Sequence, residues 1–131
     1  MVKQYGPLVG RIFLALLFLI AGIGKITGFA GTVGYMEAYG VPMAQLLAVV
    51  TIVIEVGGGI LLIVGWQTRW AATALFVFTL VVTPIFHAFW AVPADQEQLQ
   101  MIMFLKNLAI MGGLLYVMAH GAGQMAMQKN G

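Results

Sequence analysis

Five side chains in this apolar sequence are able to do chemistry: Lys25, Glu55, His87, Lys106 and Asn107. They comprise one carboxylate, two amines, an imidazole and an amide. Together they can donate hydrogen bonds to an acceptor oxygen and relay a proton through the carboxylate. Lys106 and Asn107 stand side by side in the middle of "QMIMFLKNLAIMGGLLYV". Metal chemistry has less to work with. The only two histidines, His87 and His120, fall at opposite ends of the pattern, and the nine methionines form no ligand cluster. With no cysteine, dithiol exchange, iron–sulfur ligation by this chain alone and a disulfide framework are all excluded.

The elements that must position these groups follow from composition. Of 131 residues, 62% are hydrophobic and 8% charged, against about 25% charged in a soluble domain. Mean hydropathy is +1.00. Apolar runs of roughly 20 residues match the thickness of a bilayer core, so an integral membrane protein of one domain, residues 1–131, is expected. Four spans can be marked, at about 7–26, 42–65, 68–90 and 98–119. Helices are required, because strands of a membrane barrel would alternate polar and apolar residues. The fold class expected is an all-α, four-helix transmembrane bundle. Phe29, Val33, Met36 and Tyr39 have helical spacing, which predicts a short interfacial helix between spans one and two. The first run continues to Lys25 without an A-x-A pattern and is followed by further spans, so it reads as a span and not a signal peptide.

Within each span the unusual residues share one face. Span one carries Arg11, Ala15, Phe18, Gly22 and Lys25; span two carries Thr51, Glu55, Gly58 and Gly59. Span three carries Thr79, Thr83 and His87 beside a kink expected at Pro84, and span four carries Met103, Lys106, Ile110 and Gly113. These faces should point inward, since a charge facing lipid costs about 2.5 kcal/mol or more. The glycines allow the backbones to approach and bring polar groups within reach of one another. Lys106 falls roughly 12 Å inside its end of span four at 1.5 Å per residue. Glu55 falls near the midplane, and the expected partners are Glu55 and Lys106. A bland role is open for each: an ion pair that only fixes register, a hydrogen-bonded anchor at His87, and a snorkelling Arg11 near the boundary.

The basic residues set orientation. Lys3, Arg11, Arg69 and Lys129 share one side with no acid, whereas Lys25 faces Glu37, Asp95 and Glu97 on the other. The positive-inside rule therefore predicts both termini in the cytoplasm, with Arg11 and Arg69 as topological or structural residues. Trp66 and Trp70 would then mark one interface and Trp90 the other. The six basic residues are scattered, so no nucleic-acid surface is expected and the bilayer is the evident partner.

The blocks "GRIFLALLFLIAGIGKITGF", "IEVGGGILLIVGWQTRWAA", "PIFHAFW" and "MIMFLKNLAIMGGLLY" resemble, in this order, the DoxX family of small bacterial membrane proteins. The resemblance spans about Gly10 to Gly121. It implies a four-helix bundle in the bacterial inner membrane and an association with oxidoreductase complexes or oxidative-stress defence. The family takes its name from a small subunit of a thiosulfate:quinone oxidoreductase. Its recurring polar landmarks map onto Arg11, Lys25, Glu55, His87, Lys106 and Asn107. On this resemblance a quinone is the candidate cofactor, with Lys106, Asn107 and His87 as donors and Glu55 as relay. Lacking cysteine, the chain would need an oxidoreductase partner subunit for sulfur chemistry. A non-catalytic assembly or anchoring protein, a small transporter and a homo-oligomer remain open at this stage.

Overall fold

A computed structural model describes residues 1–128; Lys129, used above for orientation, lies outside the described residues. Five α-helices follow one another: α1 (Val2–Thr27), α2 (Phe29–Ala38), α3 (Ala44–Val64), α4 (Thr68–Phe86) and α5 (Ala94–His120), with a 3-10 turn at Phe89–Ala91 before α5. All but α2 belong to segments long and apolar enough to cross a membrane, giving four candidate spans. The four-helix bundle and its short connecting helix are therefore as the sequence predicts.

The helices pack in the order α1, α3, α4, α5, and α5 returns to α1 over a much shorter stretch than the other pairs share. The central core is built from Ala15, Phe18, Leu62, Ala71, Ala72, Leu75 and Leu114. Glycine sets the closest approaches. A Cβ on Gly59 would lie 2.7 Å from Leu19 and 3.3 Å from the Ala15 carbonyl oxygen, and one on Gly22 would lie 2.7 Å from Val56. Both positions hold α1 against α3. Gly58, on the next face, receives Leu75 of α4. Close backbone approach is how transmembrane helices gain packing energy when lipid is as apolar as their side chains.

Helix ends explain the connections. Gly65 closes α3 in the left-handed conformation at φ 73° and donates its N–H to the Leu61 carbonyl at 2.9 Å. At the far end of α4, Pro84 has no N–H to give, and the helix stops at Phe86. The third span covers Thr68–Ala91, close to the expected 68–90, but its α-helix ends at Phe86, two residues after Pro84, and a 3-10 turn completes it. His87 consequently caps α4 instead of continuing its face, with its backbone N–H on the Thr83 carbonyl at 2.9 Å. Asp95 and Glu97 occupy the first turn of α5, where the helix dipole favours negative charge. Helix α2 buries Val33 and Met36 on Ala44 and Ala48 of α3, so it lies across that end of the bundle.

The opposite end gathers both termini and the α3–α4 turn. Residues 121–128 fold back under the bundle: Met127 and Gln128 donate backbone N–H groups to the Val64 and Gly65 carbonyls, each at 2.9 Å. Arg11 ties this end together. Its guanidinium donates to the Leu62 carbonyl at 2.6 Å, to Ile63 at 3.1 Å and to Met125 at 2.5 Å. At 1% exposure it does not snorkel to the boundary. It satisfies the last carbonyls of α3, which have no partner within the helix. Arg69 performs a similar task on the surface, donating to the Met118 and Ala119 carbonyls at 3.3 and 3.1 Å. Both arginines are thus helix-end braces.

Candidate functional site

At the end covered by α2, the four spanning helices leave a cavity of about 390 Å³. All five candidate residues, Lys25, Glu55, His87, Lys106 and Asn107, line it. Each comes from a different local cause. Lys25 sits in the last turn of α1, where a cation is favoured. Glu55 is buried on the glycine face of α3, and His87 is delivered by the break after Pro84. Lys106 and Asn107 sit on the stretch of α5 that faces across the cavity to α1. The rest of the wall is largely apolar and includes Phe18, Phe78 and Phe86.

The ion pair differs from the one expected. Glu55 accepts from Lys25 Nζ at 2.8 Å, with the two side chains 5% and 29% exposed. The reason is the packing: Gly22 and Gly59 draw α1 and α3 together, and this brings Lys25 onto Glu55. Lys106 is across the cavity on α5, is exposed, and makes no hydrogen bond or ion pair among the described residues. The expected Glu55–Lys106 pair is replaced by Lys25–Glu55, and Lys106 keeps its ammonium uncommitted.

Asn107 and His87 also have partners within the bundle. Thr83 Oγ1 gives its single proton to the Thr79 carbonyl at 2.6 Å, so that oxygen can only accept from other groups. Asn107 Nδ2 donates to it at 3.0 Å. This chain fixes the amide orientation and leaves Asn107 with Oδ1 as an acceptor and a second Nδ2–H as a donor. His87 Nδ1 meets Gln100 Oε1 at 2.8 Å. An amide oxygen cannot donate, so Nδ1 carries the proton and, in the neutral ring, Nε2 is left with a lone pair. Gln100, which sequence reasoning did not single out, therefore sets the tautomer. Only its position one α5 turn before Phe104, near the break after α4, connects it to the site.

Aromatic rings of α2 and α4 meet beside the cavity. Tyr35 of α2 stacks on Phe86 with ring centroids 5.5 Å apart, and Tyr39 tilts against both. The Tyr35 phenol is pushed up to about 12, by burial first and by Tyr39 second, so it remains protonated at any ordinary pH. A second cavity of about 440 Å³ lies along the same α1–α5 seam at the end that holds the termini, lined by Pro7, Arg11, Leu14, Tyr116 and His120 among others. Leu14 meeting Gly113 marks a point of contact between α1 and α5. The described residues contain no group of three His, Asp or Glu side chains placed to hold a metal ion.

Comparison with known proteins gives a consistent answer over most of the chain. The family model described as DoxX matches residues 6–88. The chain is 43% identical to "Inner membrane protein YqjF" of Escherichia coli K12 over 129 residues, which is 97% of this chain and 92% of that protein. It is 37% identical to "Inner membrane protein YphA" of the same organism over 122 residues, covering 93% of this chain and 87% of that one. A more distant match, 32% identical over 78 residues, covers 60% of this chain and 56% of the Bacillus subtilis protein named "Putative oxidoreductase CatD". No solved structure matches the chain.

Proposed function

Because this chain belongs to the DoxX family of membrane proteins, we propose that it is the integral membrane subunit of an oxidoreductase system and holds a quinone head group in the cavity beneath α2. One observation carries the reading: a cavity of about 390 Å³ with aromatic walls collects all five polar candidates at the end of the bundle covered by α2. Small-molecule sites have this size and this mixture of apolar lining and few polar groups. Lys106, without an ion pair among the described residues, is the donor for a quinone oxygen. Glu55, held by Lys25, is the group for proton relay. The oxidoreductase name of the Bacillus relative supports the same class of system. With no cysteine and no metal-binding group among its described residues, the chain leaves oxidation of the electron donor to a partner subunit.

The cavity also weighs against a purely structural role for the polar residues. Side chains retained only to specify packing would be expected to fill the space between the helices. Titration of the purified chain with decylubiquinone, followed by calorimetry, tests the proposal. Saturable binding that is weakened in Lys106→Met supports it, and no binding by the wild type removes it in favour of an anchoring protein.

The orientation that goes with this reading has both termini in the cytoplasm of a bacterial inner membrane, with Arg11 and Arg69 on the inner side and the cavity in the outer half. Reporters fused after Gly65 and at the C-terminus should both give a cytoplasmic signal; an external signal from either would reverse the assignment.

A further inference from the structure

The end of the bundle that holds the termini carries Lys3, Arg11, Arg69 and His120 and no acidic side chain among the described residues. The four acids of the chain are elsewhere: Glu37 in the last turn of α2, Glu55 on Lys25, and Asp95 and Glu97 in the first turn of α5. Arg11 is the buried member of the basic group. Its guanidinium has five N–H donors, and hydrogen bonds to the Leu62, Ile63 and Met125 carbonyls account for three of them. Of the rest, the one on Nε is buried without a partner among the described residues. The carbonyls that end α3 offset part of the charge, as helix C-termini do for cations. Arg11 makes no ion pair among the described residues, and a buried charge left unmatched is costly.

The second cavity, of about 440 Å³, has this arginine in its wall, and its lining is graded along the helices. On α1, Leu14 follows Arg11 one turn deeper. On α5, Val117 and Gly113 lie successively deeper than His120. A guanidinium and an imidazole thus mark the end nearer the termini, and apolar groups mark the end nearer the bilayer centre. Lys3, Pro7 and Arg11 stand at helical spacing on one face of α1, and Lys3 is exposed.

Such a gradient matches an amphiphile with a negative head. We propose that the second cavity binds an anionic phospholipid from the leaflet at this end, with phosphate oxygens at Arg11 and His120 and an acyl chain along Leu14, Val117 and Gly113. Basic pockets between transmembrane helices recognise anionic head groups in this way. A phosphate is an acceptor and an anion at once, so it supplies a hydrogen-bond partner and a counter-charge together. The acyl chain accounts for the apolar depth of the cavity, which a free phosphate would leave without a use. This site is separate from the cavity beneath α2 and does not depend on the quinone reading.

The test uses the full chain in an uncharged detergent and three probes, followed by calorimetry: dihexanoyl phosphatidylglycerol, dihexanoyl phosphatidylcholine and inorganic phosphate. Saturable binding of the phosphatidylglycerol is expected, about tenfold tighter than either other probe, as one charge-assisted hydrogen bond would give. Arg11 also braces α3 and residues 121–128, so two other variants carry the test. Gly10 lines the cavity on the α1 face that includes Pro7 and Leu14, and a Cβ there meets nothing within 4 Å. Gly10→Leu should therefore keep its melting temperature and bind phosphatidylglycerol about tenfold more weakly, by obstruction. Lys3→Gln should weaken binding about fivefold, the share of one basic residue near an anionic head group. Equal binding of the two lipids would overturn the recognition of charge. Inorganic phosphate binding as tightly as the lipid would make the ligand a free anion and overturn the lipid assignment. Undiminished affinity in both variants would move the binding away from this cavity, and no saturable binding of phosphatidylglycerol overturns the proposal outright.

Discussion

Helix α1 has two neighbours among the spanning helices, and it treats them oppositely. Against α3 it packs through Gly22 and Gly59, shares the Lys25–Glu55 pair, and sends Arg11 into the last carbonyls of α3. Against α5 it makes a short contact, near Leu14 and Gly113, with a cavity on either side of it. The same helix therefore has a sealed face and an open one. The sealed face holds charges that have partners. The open face looks across to Lys106, a charge without one among the described residues. Polar residues in a membrane bundle thus fall into two kinds, distinguished by whether helix packing has already supplied their partners.

The comparison is broken most severely at Arg11. Arg11→Met removes donors from three carbonyls at once, and a hydrogen bond from a charged group contributes about 1.5–3 kcal/mol. Allowing for non-additivity, a loss of about 3–5 kcal/mol is expected, read as a lower melting temperature in detergent. Residues 121–128 should also become accessible to protease, since Met125 loses its anchor. Arg11→Lys should rescue only part of this, because an ammonium cannot reproduce the planar fork.

The next effect is at the ion pair. Breaking a buried pair costs about 3–5 kcal/mol, and the partial exposure of Lys25 puts this one at or below the lower end. Lys25→Met, which strands the buried Glu55, should be worse than Glu55→Gln, which leaves an amine able to reach the boundary. The double variant should be milder than Lys25→Met alone. Strict additivity in a detergent-unfolding cycle would mean that the two residues are not coupled.

Glycine substitutions sharpen the contrast at smaller magnitude. Gly59→Ala places a methyl against backbone and Leu19 on the sealed face, at an overpacking cost of about 1–3 kcal/mol. Gly113→Ala meets only the flexible end of Leu14 at 3.3 Å, so a change within about 0.5 kcal/mol is expected. Comparable losses at both positions would show that the α1–α5 seam is as tight as α1–α3.

Lys106→Met should have the smallest effect on stability, within about 0.5 kcal/mol, because the exposed ammonium has no partner to lose among the described residues. Its effect belongs to binding: about tenfold weaker affinity for decylubiquinone is expected from one lost charge-assisted bond. A large stability loss with unchanged binding would move Lys106 to the structural class.

Much of the architecture was legible in the residues. The stripe Arg11, Ala15, Phe18 and Gly22 is the buried face of α1, and Val33 and Met36 bury the interfacial helix as their spacing predicts. Apolar run length and periodicity determine spans, faces and the short α2, because these depend on local geometry and on the cost of placing polar groups in lipid. The set of polar residues lining the cavity was legible for the same reason: each is an exception within an apolar run. Tertiary structure alone decided how those residues are partnered. Lys25 and not Lys106 meets Glu55 because the glycines bring α1 to α3 and leave α5 apart. Asn107 is oriented by Thr83 and His87 by Gln100, contacts made between α4 or the segment after it and α5. The docking of residues 121–128 under Arg11 had no periodic signal, since backbone carbonyls are present at every position and only the fold determines which are left for an arginine to reach.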